Sequence, residues 1–417
     1  MTNYRLNHYV PIWYQERFIP NSWKERKFKY LDLKPQTLSS NGRQYKRRDV
    51  LPWGPPKCFC ELDLYTTKFG SWISTEIEEK FFGPVDASAR EALDYFAAFT
   101  HPSAEGELFQ RLMLYMSIQK LRTPKGLRML SVLTQQTDKN RVLRQLQRLR
   151  QLYCAIWTEC VWSIADASES DVKFLISDHP VTVYNQGCFP ASQWCADYRD
   201  PDIWLSGTHT LFPLTLDKIL ILTNLSWVRY PYGNPLKARP HPDPFRQAMF
   251  NFTQIQTGRS LSTAEVLKIN LIIKQRAHRY VAAVERDWLY PERFVKERWD
   301  NLGKSYLLMP DPRSVSFSGE IIIGYKDDRA DFFDAYGRRP WHRDYDDKKL
   351  HDREWETFHA FKGEFARLFG PKRRGLSFEF GRLDKIEDTE DFHKYHLSLE
   401  QKHKKHRFNK SGKPQHE

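Results

Sequence analysis

The chain has 417 residues, 40% of them hydrophobic and 28% charged, which is enough apolar material for a packed core and too much for a disordered chain. No apolar run approaches the roughly 18–20 residues of a membrane span, and residues 1–10 lack the apolar stretch of a secretory signal, so a cytoplasmic location is expected. Lys and Arg number 65 against 52 Asp and Glu, a formal +13 that favours polyanionic partners, RNA or DNA before an acidic membrane surface.

Residues 27–35 and 57–69 alternate apolar and polar side chains and read as two strands. A basic, turn-rich loop joins them, with Asn41-Gly42 and Pro52-Trp53-Gly54-Pro55-Pro56. Cys58 and Cys60 fall on alternate positions of the second strand, which puts both thiols on one face and fits packing better than metal binding. The six cysteines form no C-x-x-C pair, and free thiols without a disulfide partner are expected. Residues 71–166 read as helical. Ser74 or Thr75 caps a first helix that carries Glu76, Glu78 and Glu79 in its opening turn, where acids suit the positive end of the dipole. Gly83-Pro84 breaks it. Helices follow over about 86–99, over about 104–121 ending at Thr123-Pro124, and over 138–165, the longest. In the last, Leu143, Leu146, Leu149 and Ile156 share one broad side, while Arg141, Arg144 and Arg148 cluster opposite at three- and four-residue steps. That row is either a solvated face or a phosphate-facing ridge.

The period then changes. Residues 173–176 read as a buried-type strand, followed by Ser177-Asp178-His179-Pro180 and a second strand over 181–184. Residues 186–208 are irregular, 210–216 and 219–224 form a strand pair, and 231–244 are Pro-rich. Residues 261–287 read as an amphipathic helix capped by Ser262 or Thr263. After Tyr290-Pro291 the composition shifts towards His, Asp, Lys and aromatics, with a strand or hairpin over 315–325 and a helix over 351–369. Residues 393–417 hold seven Lys or Arg, five His and two acids, a basic tail. The expected fold is α+β: a largely helical N-terminal half with a small mixed or antiparallel sheet, and an additional α+β C-terminal region. The expected divisions are 1–290, 291–392 and 393–417.

Several stretches together resemble one family. Residues 7–18 read N-H-Y-V-P-x-x-Y-x-x-x-F; an acid pair, Glu79 and Asp86, follows; then come Gln119-x-x-Arg122-Thr123-Pro124 and Phe174-Leu175-Ile176-Ser177-Asp178-His179-Pro180. In this order they resemble the domain of unknown function DUF4238, over about residues 7–285. Position 12 is Ile, position 15 is Gln and the second acid is Asp86, where that family tends to have Gln, Leu and Glu. The resemblance implies a bacterial or phage-associated, cytoplasmic protein with relatives among candidate anti-phage defence genes. It implies no mechanism.

The residues that can carry chemistry are His8, Gln119, Arg122 and Asp178, taken as catalytic, and Glu79 with Asp86 as ligands for a cation, Mg²⁺ or Mn²⁺. His8 is a proton carrier at neutral pH, Asp178 can orient it or cap a turn, and Arg122 can face phosphate or brace the fold. Lys125, Arg128, Arg141, Arg144 and Arg148 are the expected nucleic-acid contacts within residues 120–150, which hold nine Lys or Arg and one acid. No Walker, Rossmann, zincin or nucleophile-elbow motif is present, and His342-Arg343-Asp344 lacks the other kinase elements. The expected function is therefore action on RNA or DNA by nuclease-like phosphodiester cleavage. The alternative is a non-enzymatic basic sensor that binds nucleic acid or a phage component.

Overall fold

The computed structural model describes residues 5–40, 43–99, 105–239, 255–303, 306–312, 315, 320–324, 328–334 and 338–369. The chain is α+β, built from two sheets, a helical layer and short hairpins. It opens with β1 (Leu6–His8), α1 (Ile12–Glu16) and β2 (Phe28–Asp32). A small hairpin, β3 (Thr37–Ser40) with β4 (Arg43–Lys46), leads to β5 (Val50–Trp53); Asn41-Gly42 lies outside the described residues. Next come β6 (Cys60–Leu62), which pairs with β1, and the hairpin of β7 (Thr67–Phe69) and β8 (Trp72–Ser74).

The two strands expected at 27–35 and 57–69 differ in outcome. β2 forms, but 57–69 divides into β6, a turn and β7. Phe59 adopts a left-handed φ of 52°, so Cys58 and Cys60 do not share the face of one strand; Cys58 is buried and Cys60 half-buried.

A π-helical turn over Ile77–Phe82 runs directly into α2 (Gly83–Ala97), so Gly83-Pro84 does not break the chain's course. Proline fits there because the first helical positions need no N–H donor. α3 (Gly106–Arg122) ends at Thr123, whose hydroxyl caps α4 (Pro124–Leu133). Asp138 caps α5 (Lys139–Arg148), and α6 (Cys154–Thr158) follows.

The long helix expected over 138–165 is thus two short helices and a strand. Residues 160–166 are β9 (Cys160–Asp166), buried through its first six positions. A strand covered on both faces carries no alternation, so its apolar run mimics a buried helix. β9 stands in a five-stranded sheet ordered β11 (Thr182–Asn185), β12 (Thr208–Pro213), β13 (Lys218–Asn224), β9, β14 (Gln256–Ser260). All pairs are antiparallel except β14 with β9. Trp162 of β9 meets Phe109 of α3 at 4.6 Å between ring centroids and Phe96 of α2 at 5.8 Å, which seats the helical layer on the sheet.

β10 is only Ile176–Ser177 and lies in the other sheet, ordered β10, β15 (Tyr280–Ala283), β2, β5. The helix expected over 261–287 is α8 (Thr263–Arg276), opened by a capping box of Ser262 and Glu265. It stops eleven residues early because the chain turns at Ala277 to enter β15. One core runs from Tyr9 to Leu308, past residue 290. Beyond α7 (Leu225–Arg229) and the hairpin of β16 (Glu320–Gly324) with β17 (Ala330–Asp334), α9 (Lys348–Phe369) sets Phe358, Phe361 and Phe365 against Val161, Trp227 and Val228 in a second cluster. The basic tail at 393–417 lies outside the described residues. No described helix is long and apolar enough to cross a membrane.

Candidate functional site

The last two turns of α3, from Tyr115 to Arg122, are buried at every position. A helix buried all round must satisfy its polar side chains internally. Gln119 and Arg122 are three apart and share one face; Lys120 and Thr123 are three apart and share the next. Two polar centres result, one on each side of the helix.

The first centre gathers Arg122. Its Nε donates to Gln119 Oε1 at 2.7 Å and its Nη1 to Asp86 Oδ2 at 3.0 Å; Nη2 also reaches Gln119. The guanidinium lies between Phe82 and Tyr115, 5.4 and 5.6 Å from their ring centroids. Gln119 Nε2 donates to the Tyr9 carbonyl at 2.8 Å, and Tyr65 donates its hydroxyl to the Arg122 carbonyl at 2.8 Å. Burial raises Asp86, and Arg122 pulls it back. Glu78, in the π-turn, is lifted to about 7 by burial and by Asp86, against the pull of Arg122. Among the described residues its Oε2 is buried without a hydrogen-bond partner, as is Trp13 Nε1.

The metal pair reads differently in three dimensions. A π-turn takes one residue more than an α-turn, so two turns back from Asp86 is Glu78, not Glu79. Glu79 is exposed and accepts from Thr75 at 3.4 Å. Asp86 is held by Arg122, and among the described residues no group of three His, Cys, Asp or Glu is arranged to hold a metal ion.

The second centre gathers Asp200. Lys120 Nζ donates to its Oδ2 at 2.5 Å, His179 Nε2 meets the same oxygen at 2.9 Å, and Lys125 takes Oδ1. Thr123 Oγ1 meets His179 Nδ1 at 2.7 Å, and Lys125 also donates to the Arg276 carbonyl at 2.8 Å. Burial, then Lys120, lowers His179 to about 3, so its ring is neutral: Nε2–H donates to Asp200 and Nδ1 accepts from Thr123. Burial alone would raise Asp200, but Lys120, Lys125 and His179 hold it well below the usual carboxylate range.

Asp178 turns the opposite way from His179, as successive residues of an extended segment do. Its carboxylate accepts the backbone N–H groups of His278, Arg279 and Tyr280 at 2.8, 2.7 and 2.8 Å. It therefore clasps the start of β15, and Arg279 continues the tie to Asp32 of β2 with two bonds at 3.0 and 2.8 Å. Burial raises Asp178, opposed by these three donors. His8 is half-buried, donates to the Pro56 carbonyl at 3.0 Å and is lowered by burial.

The expected catalytic group is thus brought together only in part. Arg122, Gln119 and Asp86 join. His8 and Asp178 are engaged by backbone elsewhere, and no described hydrogen bond or ion pair links either to Arg122. Lys125, expected at the nucleic-acid surface, is instead buried on Asp200, because the first turn of α4 packs inward. Arg128, Arg141, Arg144 and Arg148 are exposed. On α5 the apolar Val142, Leu143 and Leu146 face the core, and Arg141, Arg144 and Arg148 make no ion pair among the described residues. Sequence reasoning missed Glu78, Lys120, His179 and Asp200; for Asp200 no signal was available, since its partners lie 21, 75 and 80 residues away with no fixed spacing to mark them.

Comparison with protein-family models, with curated proteins and with solved structures finds no match. Three of the stretches singled out in the sequence are neighbours in space: Gln119 touches Tyr9, and Thr123 touches His179.

Proposed function

We propose that the protein binds nucleic acid through the exposed face of α5. One observation carries the reading: Arg141, Arg144 and Arg148 form a row of guanidinium groups with no described carboxylate partner. Unpaired arginines on one helical face suit a row of phosphates, and the formal charge of +13 favours such an encounter. The row is tied to the hairpin that leads into the π-turn, through Asn140 and the Lys68 backbone at 2.7 and 3.3 Å.

The test is binding of tRNA, single-stranded DNA and duplex DNA across a salt series. A steep fall with salt is expected, and Arg141→Gln, Arg144→Gln and Arg148→Gln together reduce the duplex slope by about 3. Binding that is absent, or unchanged in the triple variant, sinks the reading.

A second reading is cleavage of the bound strand, and Glu78 favours it. A carboxyl that titrates near 7 with an unpartnered oxygen suits proton transfer at neutral pH. End-labelled substrates incubated with Mg²⁺, Mn²⁺ or EDTA, beside Glu78→Gln, decide it. Cleavage by the parent and not the variant supports the reading; intact bands throughout refute it.

A further inference from the structure

Two cysteines share one coiled segment and one arginine. After β11 the chain makes three tight turns. Cys188 N–H donates to the Asn185 carbonyl at 3.0 Å, Ser192 to Phe189 at 2.9 Å and Cys195 to Ser192 at 2.9 Å. These turns fold residues 188–195 back on themselves, so Cys195 Sγ lies 4.0 Å from the Cys188 carbonyl oxygen. Arg276, the last residue of α8, spans both. Its Nη1 donates to Cys195 Sγ at 2.8 Å and its Nη2 to the Cys188 carbonyl.

The surroundings hold this arrangement in place. Asp200, at the far end of the segment, is tied to Lys120 and Lys125, and the 3₁₀ turn over Gln193–Tyr198 packs on α4. The Arg276 guanidinium is buried over the Trp299 ring, 4.7 Å from its centroid. A sulfur that does not move therefore faces a cation that does not move.

The remaining thiols have different settings. Burial pushes Cys58, Cys60, Cys154 and Cys160 up, away from the thiolate form that reacts. Among the described residues, none of these four accepts a hydrogen bond from a cation. Cys195 is half-buried and accepts from Arg276 and from the Ser192 hydroxyl at 3.8 Å. Two donors on sulfur, one of them charged, support negative charge there. Cys188 is fully buried, and burial followed by Cys195 pushes it up to about 11, against the pull of Arg276. A small oxidant from solvent meets Cys195 first, with Cys188 behind it.

We propose that Cys195 is a site of oxidation by hydroperoxides and that Cys188 is the thiol that resolves the product to a disulfide. In the first step the Cys195 sulfur attacks the peroxide. An S–O bond forms, the O–O bond breaks, and the leaving oxygen departs as water with the proton of the thiol. In the second step the Cys188 sulfur attacks the sulfenic sulfur of Cys195. An S–S bond forms, the S–O bond breaks, and the oxygen leaves as water with the Cys188 proton. The two sulfurs are oxidised and the peroxide is reduced to water. Arg276 is a positioning residue, since one guanidinium fixes both the reacting sulfur and the backbone of its partner. The pair is separate from the α5 row and does not depend on nucleic-acid binding.

The experiment treats the full chain with hydrogen peroxide near stoichiometry, without and with a dimedone-type trap for sulfenic acid. Remaining thiols are alkylated, and all the cysteines are mapped by mass spectrometry. Without the trap, a Cys188–Cys195 disulfide is expected to form first and to reverse with dithiothreitol. In Cys188→Ser the trap should accumulate on Cys195; in Cys195→Ser, Cys188 should stay reduced. Arg276→Gln removes the charge and is expected to slow Cys195 oxidation several-fold, while the half-buried Cys60 reacts at its parent rate. A guanidinium that merely shielded the sulfur would give the opposite sign, faster oxidation in the variant. Oxidation that follows exposure alone, with Cys60 and Cys154 keeping pace with Cys195, overturns the site. Oxidation of Cys195 that ends in a bond between two copies of the chain, with Cys188 still alkylated, overturns the pair. The parent's own disulfide needs no substitution, so the test stands if a variant does not fold.

Discussion

Residues 120–126 and 139–150 have the same basic character and opposite fates. In the first stretch Lys120, Arg122 and Lys125 are buried, and each is engaged by a carboxylate. In the second, Arg141, Arg144 and Arg148 stand in solvent without ion pairs among the described residues. What separates them is the apolar residues around them, not their charge. α3 is buried on every side near its end, polar positions included, so its cations must carry counter-charges inward. α5 is apolar on one side only, so its cations stay outside. A count of Lys and Arg therefore says little about which of them meet a partner.

The contrast can be broken at four points, in falling order of effect. Arg122→Ala strands Asp86 in the interior and is expected to cost about 3–5 kcal/mol in urea denaturation. A loss under 1 kcal/mol would mean that the buried stretch is no more demanding than the exposed one. Asp178→Ala leaves three backbone donors of residues 278–280 unpaired, for a loss of about 3 kcal/mol, with Asp178→Asn recovering part of it.

The third point is pH. Glu78 releases its proton near 4.5 when unfolded and near 7 when folded, so the native state holds more protons between those values. Stability should fall by about 1–3 kcal/mol as pH rises through that window, and Glu78→Gln should abolish this component. A pH profile identical in parent and variant would remove Glu78 from the account. Last, the triple Arg141, Arg144 and Arg148 to Gln variant should shift stability by under about 0.5 kcal/mol while weakening polyanion binding. A large loss of stability would show the row to be structural after all.

Local signals account for the parts that were legible. α3 was bounded within about two residues by its period and by Thr123-Pro124, and α8 was opened at Ser262 by its capping residues; the β12–β13 pair was found from two short apolar runs that do not alternate. The face of α5 was read correctly because three- and four-residue steps survive any error in the helix's end. Two boundaries failed for one reason. Neither 138–165 nor 261–287 contains Gly or Pro, so nothing in the sequence marks where α5 gives way to β9 or α8 to β15. The choice is made by burial on both faces of β9 and by the Asp178 clasp on residues 278–280, both set by distant chain. The acid pair slipped by one residue because a π-turn has no reliable sequence mark.

The pairing of β2 with β15 joins Tyr30 to Ala282, about 250 residues along the chain. At a synthesis rate of roughly 5–20 residues per second, β2 waits about 12–50 seconds for that partner to leave the ribosome. Through that interval β2 can pair with β5 alone, and its other edge is open to any passing strand. Newborn chains that stall before residue 280 should thus be the ones that chaperones hold and proteases remove.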